Sequence, residues 1–274
     1  MEPKFLRIID KDIIIPGLEK SYTIIQISDP HLIVVDENST SEHIQKAKEY
    51  ETAWQEVKKG FAELFGEPCG KVHEISTVSC FEKVMDFVKE EKPDLLILSG
   101  DVLNHEHEEG IRYFTEYMKE YAGEWLFVPG NHDNDITLQK LGIDGIQVRE
   151  LDGVRVIGLD DSRMTLSSMQ LEQLKDQLSD QKPSILVMHV PLETELNTED
   201  FKMLGNNFTL HRDRTDDSGR EFIALCENPS VPIKAVLCGH IHGYVKSQLI
   251  QGREQICCSS GMVGFVHRIT VRGN

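Results

Sequence analysis

Residues 94–101 read DLLILSGD, an unbroken apolar run followed at once by a glycine and an aspartate. A run of this length without polar alternation is typical of a strand that is buried on both faces. Similar runs occur at 22–28 (YTIIQIS), 125–128 (WLFV), 154–159 (VRVIGL), 184–188 (SILVM) and 233–238 (IKAVLC). The chain therefore predicts a core of buried strands.

Helical patterns alternate with these strands. One apolar stripe runs from Ile75 to Val88, a second runs from Ile111 to Tyr121, and Ser167 with Gln170 forms a capping box before a third. This alternation predicts an α/β fold with parallel pairing in its middle. Beyond residue 233 the strand-like runs follow each other closely, which predicts antiparallel strands that close a second or mixed sheet.

The segment between Leu32 and Ile75 interrupts the alternation. Its apolar residues, from Ile44 to Phe65, recur at helical spacing and predict one long amphipathic helix that ends in the Gly66–Gly70 region. We therefore expect one domain over residues 1–274 with a helical insertion at about 33–75. Two interpretations stay open: the helix packs on the core or on a second copy in a homodimer, or it caps the functional site.

Composition excludes several classes of function. The 274 residues include 29 Lys and Arg against 46 Asp and Glu, a net charge of −17 that repels polyanions. We therefore expect neither nucleic-acid nor membrane partners. The N-terminus lacks a signal-peptide pattern, no apolar run is long enough to span a bilayer, and the six cysteines form no CxxC pair. These features predict a cytoplasmic protein with reduced thiols.

Polar side chains follow five of the apolar runs, at the point where each run ends. The five blocks are Asp29-Pro30-His31, Gly100-Asp101, Gly130-Asn131-His132-Asp133, His189 and Gly239-His240-Ile241-His242. Ligands of open α/β sheets bind at the carboxyl edge of the strands, so we expect these side chains to meet there. Any one block alone fits a structural histidine or aspartate, but all five in order favour a functional site.

The order DxH, GD, GNHD, H and GHxH, from residue 22 to about 245, resembles the calcineurin-like metallophosphoesterase superfamily. The resemblance implies a four-layer α/β/β/α sandwich of two mixed sheets that carries two metal ions. It implies that Asp29, His31 and His242 hold the first metal, that Asn131, His189 and His240 hold the second, and that Asp101 bridges both. His132 would be the catalytic imidazole and not a ligand.

The chemistry of these residue types agrees with such a site. Four imidazoles, two carboxylates and an amide oxygen suit Mn, Fe or Zn better than Mg or Ca. We expect hydrolysis of a small phosphate ester by metal-activated hydroxide, with His132 protonating the leaving alkoxide. Resemblance to cyclic-nucleotide and glycerophosphodiester hydrolases favours phosphodiesters. A phosphomonoesterase, a nuclease of the same superfamily and a non-catalytic metal-binding interaction module remain alternatives.

Three further features carry open interpretations. Asn104 stands where many relatives have an Asp or Asn that orients the catalytic histidine, and its amide adds no charge that would raise the imidazole pKa. His105-Glu106-His107 is either a ligand pair or, as we favour, part of a solvated loop. Candidates for gripping the substrate phosphate are Arg163, Arg212 and Arg214, unless they are surface residues.

Overall fold

The computed structural model describes residues 6–65, 74–105, 107–133, 135–202, 204 and 208–274. The strands are β1 (Arg7–Ile14), β2 (Tyr22–Ile27), β3 (Leu95–Ser99), β4 (Trp125–Val128), β5 (Gln147–Leu151), β6 (Val154–Gly158), β7 (Ser184–Val187), β8 (Leu192–Glu193), β9 (Leu210–His211), β10 (Ile233–Cys238), β11 (Val245–Ile250), β12 (Arg253–Cys257) and β13 (Phe265–Arg272). The α-helices are α1 (Ser41–Phe65), α2 (Thr77–Glu91), α3 (Glu108–Glu120), α4 (Asp135–Leu141), α5 (Ser168–Leu178), α6 (Thr198–Phe201) and α7 (Asp217–Glu227).

The strands form two large mixed sheets. The first has the order β1-β13-β2-β3-β4, and the second has the order β11-β12-β10-β7-β6-β5. In the first sheet β2, β3 and β4 are parallel, and in the second sheet β6, β7 and β10 are parallel. Antiparallel pairs of β11 with β12 and of β13 with β2 make both sheets mixed.

The two sheets pack face to face and are covered by helices on both outer faces. Ile24 and Ile97 of the first sheet share one apolar cluster with Ile185 and Leu237 of the second. Outside the first sheet, Phe81 of α2 and Phe114 of α3 pack in another cluster. Outside the second sheet, Leu174 of α5 and Phe222 of α7 do the same. The predicted four-layer α/β/β/α sandwich of two mixed sheets is therefore confirmed.

Helix ends follow the local signals in the sequence. The Ser167 hydroxyl accepts a hydrogen bond from the Gln170 backbone N–H, which is one half of the predicted capping box, while the Gln170 side-chain oxygen accepts from the Asp160 N–H. α2 begins after Ser76, whose hydroxyl accepts from the Ser79 N–H, and ends at Lys92 in a left-handed conformation just before Pro93. These caps set where the helices on the outer faces begin and end.

Four strands escaped the sequence analysis: β1 and β5 of the large sheets, and the two-residue strands β8 and β9, which pair with each other. β1 carries Asp10 and Asp12 on its exposed face, so it alternates instead of forming a continuous apolar run. It is an edge strand whose place depends on its parallel partner β13, more than 250 residues away in the chain. β5, at the edge of the second sheet, is only half-buried and has a weak apolar signal.

The long helix expected between the first two ligand blocks is α1, which has 25 residues. Its predicted end in the Gly66–Gly70 region lies outside the described residues. None of the helices in the described ranges is long and apolar enough to cross a bilayer.

Candidate metal centre

The carboxyl ends of four central strands meet at one edge of the sandwich. Asp29 follows β2, Asp101 follows β3, His189 follows β7, and His240 with His242 follows β10. Backbone hydrogen bonds join these loops: the Asp29 N–H donates to the Gly100 carbonyl at 3.0 Å and the Gly239 N–H donates to the His189 carbonyl at 2.9 Å. Since the two sheets are packed together, loops from both of them reach the same site.

Six of the seven predicted ligands lie in two adjoining groups that share one carboxylate. Within each group the potential ligand atoms all lie within 4.8 Å of one another. The first group is Asp29, His31, Asp101 and His242, and the second is Asp101, His189 and His240. Asp101 is the residue common to both groups, and its role as a bridging ligand stays a prediction.

Lone-pair atoms converge in both groups. His31 Nε2 lies 2.9 Å from His242 Nε2, and His189 Nε2 lies 3.2 Å from His240 Nδ1. His189 Nδ1 donates to the Ser99 carbonyl at 2.8 Å, so its Nε2 keeps a lone pair that points to Asp101 Oδ2 at 3.3 Å. Ring nitrogens this close attract each other only when a proton or a metal ion lies between them.

Backbone N–H groups bind one oxygen of the Asp29 carboxylate and one oxygen of the Asp101 carboxylate. The other oxygen of each carboxylate faces the imidazoles. Asp29 Oδ2 accepts from the His240 N–H at 3.1 Å, and Asp101 Oδ1 accepts from the His132 N–H at 2.8 Å. Asp29 Oδ1 is fully buried and has no hydrogen-bond partner among the described residues. A buried carboxylate oxygen without a donor is costly. The donor set therefore fits two cations.

The electrostatics of the site favour positive charge. Burial would raise the pKa of Asp101, but His189 and His31 lower it well below its ordinary range. Burial lowers the pKa of His189, yet the carboxylate of Asp101 outweighs burial and raises it to about 10, so without a metal ion the Nε2 atom carries a proton that a bound cation would displace. Burial, together with His242, lowers the pKa of His31 to about 3. The buried carboxylates thus stay ionised and create a negative potential.

Strained backbone is concentrated at these residues. Positive φ angles occur at Asp29 (52°), His31 (46°), Asp101 (49°), His240 (68°) and His242 (53°). Such left-handed conformations cost energy in residues other than glycine and are found where a functional geometry requires them. Five of the seven predicted ligands therefore have their side chains aimed by an unfavourable backbone.

Glycines make room for the side chains. Gly100 has φ +91°, and a Cβ atom there would lie 2.2 Å from His189 Nδ1. A Cβ atom on Gly130 would lie 2.2 Å from Asp101 Oδ1. Both distances are far below van der Waals contact, so any larger residue would displace a predicted ligand.

Two buried aspartates that the sequence analysis did not assign organise the loops. Asp133 accepts from the N–H groups of Gly130 and Leu103, both at 2.9 Å. Asp161 accepts from the N–H groups of His189 at 2.8 Å and Val190 at 2.9 Å. Burial raises the pKa of both carboxyl groups to about 7. They position neighbouring ligands and do not join either group.

Asn131 and His132 lie at the exposed rim of the centre. Both line a cavity of about 220 Å³ together with Asp101, His240 and His242. The His132 ring stands edge-on to the His31 ring with 5.0 Å between centroids. Asn131 thus faces the shared cavity, while its assignment as a ligand stays a prediction.

Asn104 orients His132 through its backbone and not through its side chain. His132 Nδ1 donates to the Asn104 carbonyl at 2.8 Å. The side-chain oxygen of Asn104 instead accepts from Trp54 Nε1 at 2.7 Å. The lack of charge on the amide, noted from the sequence, therefore bears less on His132 than expected, because a backbone carbonyl makes the contact.

The insertion supplies a wall of the site. Trp54 of α1 lies with its ring centroid 4.7 Å from that of His31 and 5.7 Å from that of His242. Phe208 flanks the opposite group, 5.6 Å from the His240 ring. Sequence reasoning had placed Trp54 in an apolar stripe and had not singled out Phe208. The helical spacing alone could not distinguish a core position from a position over the site.

The arginines considered for phosphate binding lie elsewhere. Arg212 pairs with Glu227, and Arg214 contacts Glu193 at 2.9 Å. Arg163 lines a separate cavity of about 570 Å³ between α4 and α5. None of the three lines the cavity beside Asp101 in the described part of the chain.

This constellation agrees with comparisons to known proteins. The chain belongs to the calcineurin-like phosphoesterase family, whose model matches residues 22–244. It is 27% identical over 174 residues to a protein of Arcobacter nitrofigilis named probable glycerophosphodiester phosphodiesterase GpdQ, which covers 55% of this chain and 57% of that relative. The matched segment thus spans less than two thirds of that relative's length.

Two further similarities were found. The 3',5'-cyclic adenosine monophosphate phosphodiesterase CpdA of Escherichia coli K12 is 25% identical over 197 residues, which covers 65% of this chain and 66% of that protein. A dimetal phosphatase from Danio rerio superposes with a TM-score of 0.53 at 9% identity and covers 88% of both chains. At this identity, the similarity to the dimetal phosphatase supports the fold alone.

Proposed function

We propose that the protein is a hydrolase of small phosphate esters, phosphodiesters above all, that works with two divalent metal ions. Asp29, His31 and His242 would hold one ion, and Asn131, His189 and His240 would hold the other. Asp101 would bridge the two ions. The observation that carries this proposal is that Asp101 belongs to both groups of converging ligand atoms.

The metal ions would supply Lewis acidity that neutralises a phosphoryl group and activates water. The donor set contains imidazoles and carboxylates without a thiolate, which favours Mn, Fe or Zn. The chain's own residues have distinct tasks. Asp101 and Asp29 keep the site negative, and the Ser99 carbonyl fixes the tautomer of His189.

His132 would act on the leaving group. It lies beside the ligands at the cavity and is not one of them, and its Nδ1 donates to a backbone carbonyl. This hydrogen bond leaves Nε2 as the atom that can carry a proton to a departing alkoxide. The ring is exposed at the rim, so a substrate can reach it.

Three features support a small substrate. The cavity beside Asp101 measures about 220 Å³, and Trp54 and Phe208 flank the imidazoles on two sides. The net charge of −17 opposes polyanions. Two curated relatives carry names of enzymes that act on glycerophosphodiesters and on cyclic adenosine monophosphate, which supports phosphodiesters.

The proposal is tested with matched substrates on metal-loaded protein of known metal content. We expect bis-nitrophenyl phosphate to be cleaved with a kcat/KM at least equal to that of nitrophenyl phosphate, and chelation to abolish both activities. A monoester preference of tenfold or more, about 1.4 kcal/mol of transition-state discrimination, would replace the diester assignment with a phosphomonoesterase.

Other outcomes identify the remaining alternatives. Efficient cleavage of long DNA would indicate a nuclease and overturn the small-substrate proposal. Full metal occupancy without hydrolysis of either ester would favour a metal-binding interaction module. Full activity after complete removal of metal would overturn the mechanism itself.

We also propose that the protein works in the cytoplasm. Within the described ranges Cys226, Cys238, Cys257 and Cys258 form no disulfide, which suits a reducing compartment. A homodimer through the exposed side of α1, where Ile44 and Val57 are 45% and 37% exposed, remains a proposal that sedimentation would test.

A further inference from the structure

A second group of imidazoles lies outside the candidate metal centre. His43 stands in the first turn of α1, while His105 and His107 lie in the loop between β3 and α3. Potential ligand atoms of the three rings lie within 4.8 Å of one another. Ring centroids are 3.7 Å apart for His43 and His107 and 4.3 Å apart for His105 and His107. We call these residues the His43 cluster.

His43 has the environment of a metal ligand. Its side chain is 4% exposed, and its Nε2 contacts the Val34 carbonyl at 2.8 Å. A carbonyl can only accept, so Nε2 carries the ring proton and Nδ1 keeps its lone pair. Nδ1 is buried and has no hydrogen-bond partner among the described residues. Metal-ligating histidines commonly bind through one nitrogen while the other donates to a carbonyl.

The other two rings are available as neutral ligands. His105 Nε2 is also buried without a hydrogen-bond partner in the described part of the chain. Burial, followed by the neighbouring His107 and His43, lowers the pKa of His105 to about 4. Burial and His43 also lower the pKa of His107. Protons therefore compete little with a metal ion for these nitrogens at neutral pH.

The surroundings favour a cation and give it access. Glu109 Oε2 lies 4.0 Å from His43 Nε2 and adds negative charge beside the cluster, and the nearby Lys46 is paired with Glu42 at 3.2 Å. His105 and His107 are only half-buried, so an ion can enter from solvent. Three imidazoles without a thiolate suit Zn²⁺, which binds histidine in tetrahedral sites and can take a water as its fourth ligand.

We propose that His43, His105 and His107 bind one Zn²⁺ ion at a third site, separate from the dinuclear centre. The ion would join the insertion helix α1 to the loop that follows Asp101. That loop includes Asn104, whose amide nitrogen lies 3.2 Å from His105 Nδ1. Ligation through His105 Nε2 would put the ring proton on Nδ1, so the contact between His105 Nδ1 and the Asn104 amide nitrogen would open, while the Asn104 side-chain oxygen keeps its hydrogen bond from Trp54.

Metal counting tests the third site. Protein loaded with Zn²⁺, dialysed against buffer and analysed for zinc should hold three equivalents, whereas His107→Ala should hold two. The matched control is His211→Ala, which removes a partly exposed histidine at the end of β9 and should hold three. We expect the affinity of the third equivalent to fall more than about 100-fold in His107→Ala, since even outer-shell partners contribute about 10–100-fold.

A thermal measurement gives a second readout. The third equivalent of Zn²⁺ should raise Tm in the wild type and in His211→Ala but not in His107→Ala, because an ion that binds only the folded state stabilises it. If His107→Ala folds poorly, His105→Gln serves the same purpose, with the same loss of one equivalent expected.

Asp101→Asn separates this proposal from the dinuclear centre. This variant should lose zinc from the centre and keep one equivalent, which a further His107→Ala change should remove. Two equivalents in the wild type, or a third equivalent that survives both His107→Ala and His105→Gln, would overturn the third site. Neither result would affect the proposed hydrolase.

Discussion

Replacing Trp54 with phenylalanine should slow catalysis although Trp54 is not a predicted ligand. The substitution keeps an aromatic ring beside His31 but removes the indole N–H that donates to the side-chain oxygen of Asn104 at 2.7 Å. Asn104 is 4% exposed, so its oxygen cannot recover the hydrogen bond from bulk water. A buried acceptor left without its donor costs about 1–3 kcal/mol.

The loss of this hydrogen bond should also disturb His132, because His132 Nδ1 donates to the Asn104 backbone carbonyl at 2.8 Å. If the whole cost of about 1–3 kcal/mol is added to the activation free energy, kcat drops between about fivefold and 150-fold. We would measure kcat and metal content for Trp54→Phe, with Val57→Ala as a control on the exposed side of the same helix. The control should keep wild-type activity, and both variants should keep their metals.

A double-mutant cycle decides whether the hydrogen bond is responsible. Asn104→Leu removes the acceptor and keeps the backbone carbonyl that His132 uses. In that background Trp54→Phe should cost about 1–3 kcal/mol less than in the wild type, since no acceptor is left unpaired. Equal losses of kcat in both backgrounds would refute the reasoning and would point to ring shape alone.

Four further outcomes are expected. His132→Ala should keep the metals and lower kcat by roughly 10²–10⁴ for an alkoxide leaving group, and by less for nitrophenolate, which departs without a proton. Asp101→Asn should lower metal content at both positions of the centre in elemental analysis, because a neutral amide is a poor bridge. Gly130→Ala should lower activity and metal content, because its Cβ would lie 2.2 Å from Asp101 Oδ1. His267 is fully buried, and burial, with Lys11 contributing, lowers its pKa to about 4. The unfolded chain therefore binds the proton more tightly than the folded protein does. The free energy of unfolding should fall by about 3 kcal/mol as the pH drops from 6.5 to 4. Urea titrations of wild type and His267→Leu at pH 7 and pH 4.5 would measure that difference.

Each of these has a contrary result. Equal losses with both leaving groups would remove His132 from the role of general acid. Normal metal content in Asp101→Asn would show that this carboxylate does not bridge. Wild-type activity in Gly130→Ala would mean that the loop can shift without moving Asp101. Parallel stability curves for wild type and His267→Leu would show that His267 does not take up the extra proton on unfolding.

Periodicity and motif order were enough to predict the core of the fold and most of the candidate site. Six continuous apolar runs became strands of the two large sheets, because both faces of those strands are covered and accept such sequences. The ligand blocks could be found because each follows a strand directly, and the carboxyl ends of parallel strands share an edge. The proximity of Asp29 and Asp101 follows from that local rule, whereas His189 reaches Asp101 because the two sheets pack together.

Packing between distant segments decided the rest. The partner of Asn104 is Trp54, 50 residues away, and no spacing rule connects a residue on an inserted helix to a loop after β3. Cys257 and Cys258 are adjacent in the sequence, yet the close pair is Cys238 with Cys257, whose sulfurs lie 3.2 Å apart on neighbouring strands. His43 likewise reaches His107 only through the docking of α1. A local pattern gives the face of a helix or strand on which a side chain lies. The residues that this face packs against depend on how the whole chain buries its apolar area. Only the tertiary structure decides those contacts.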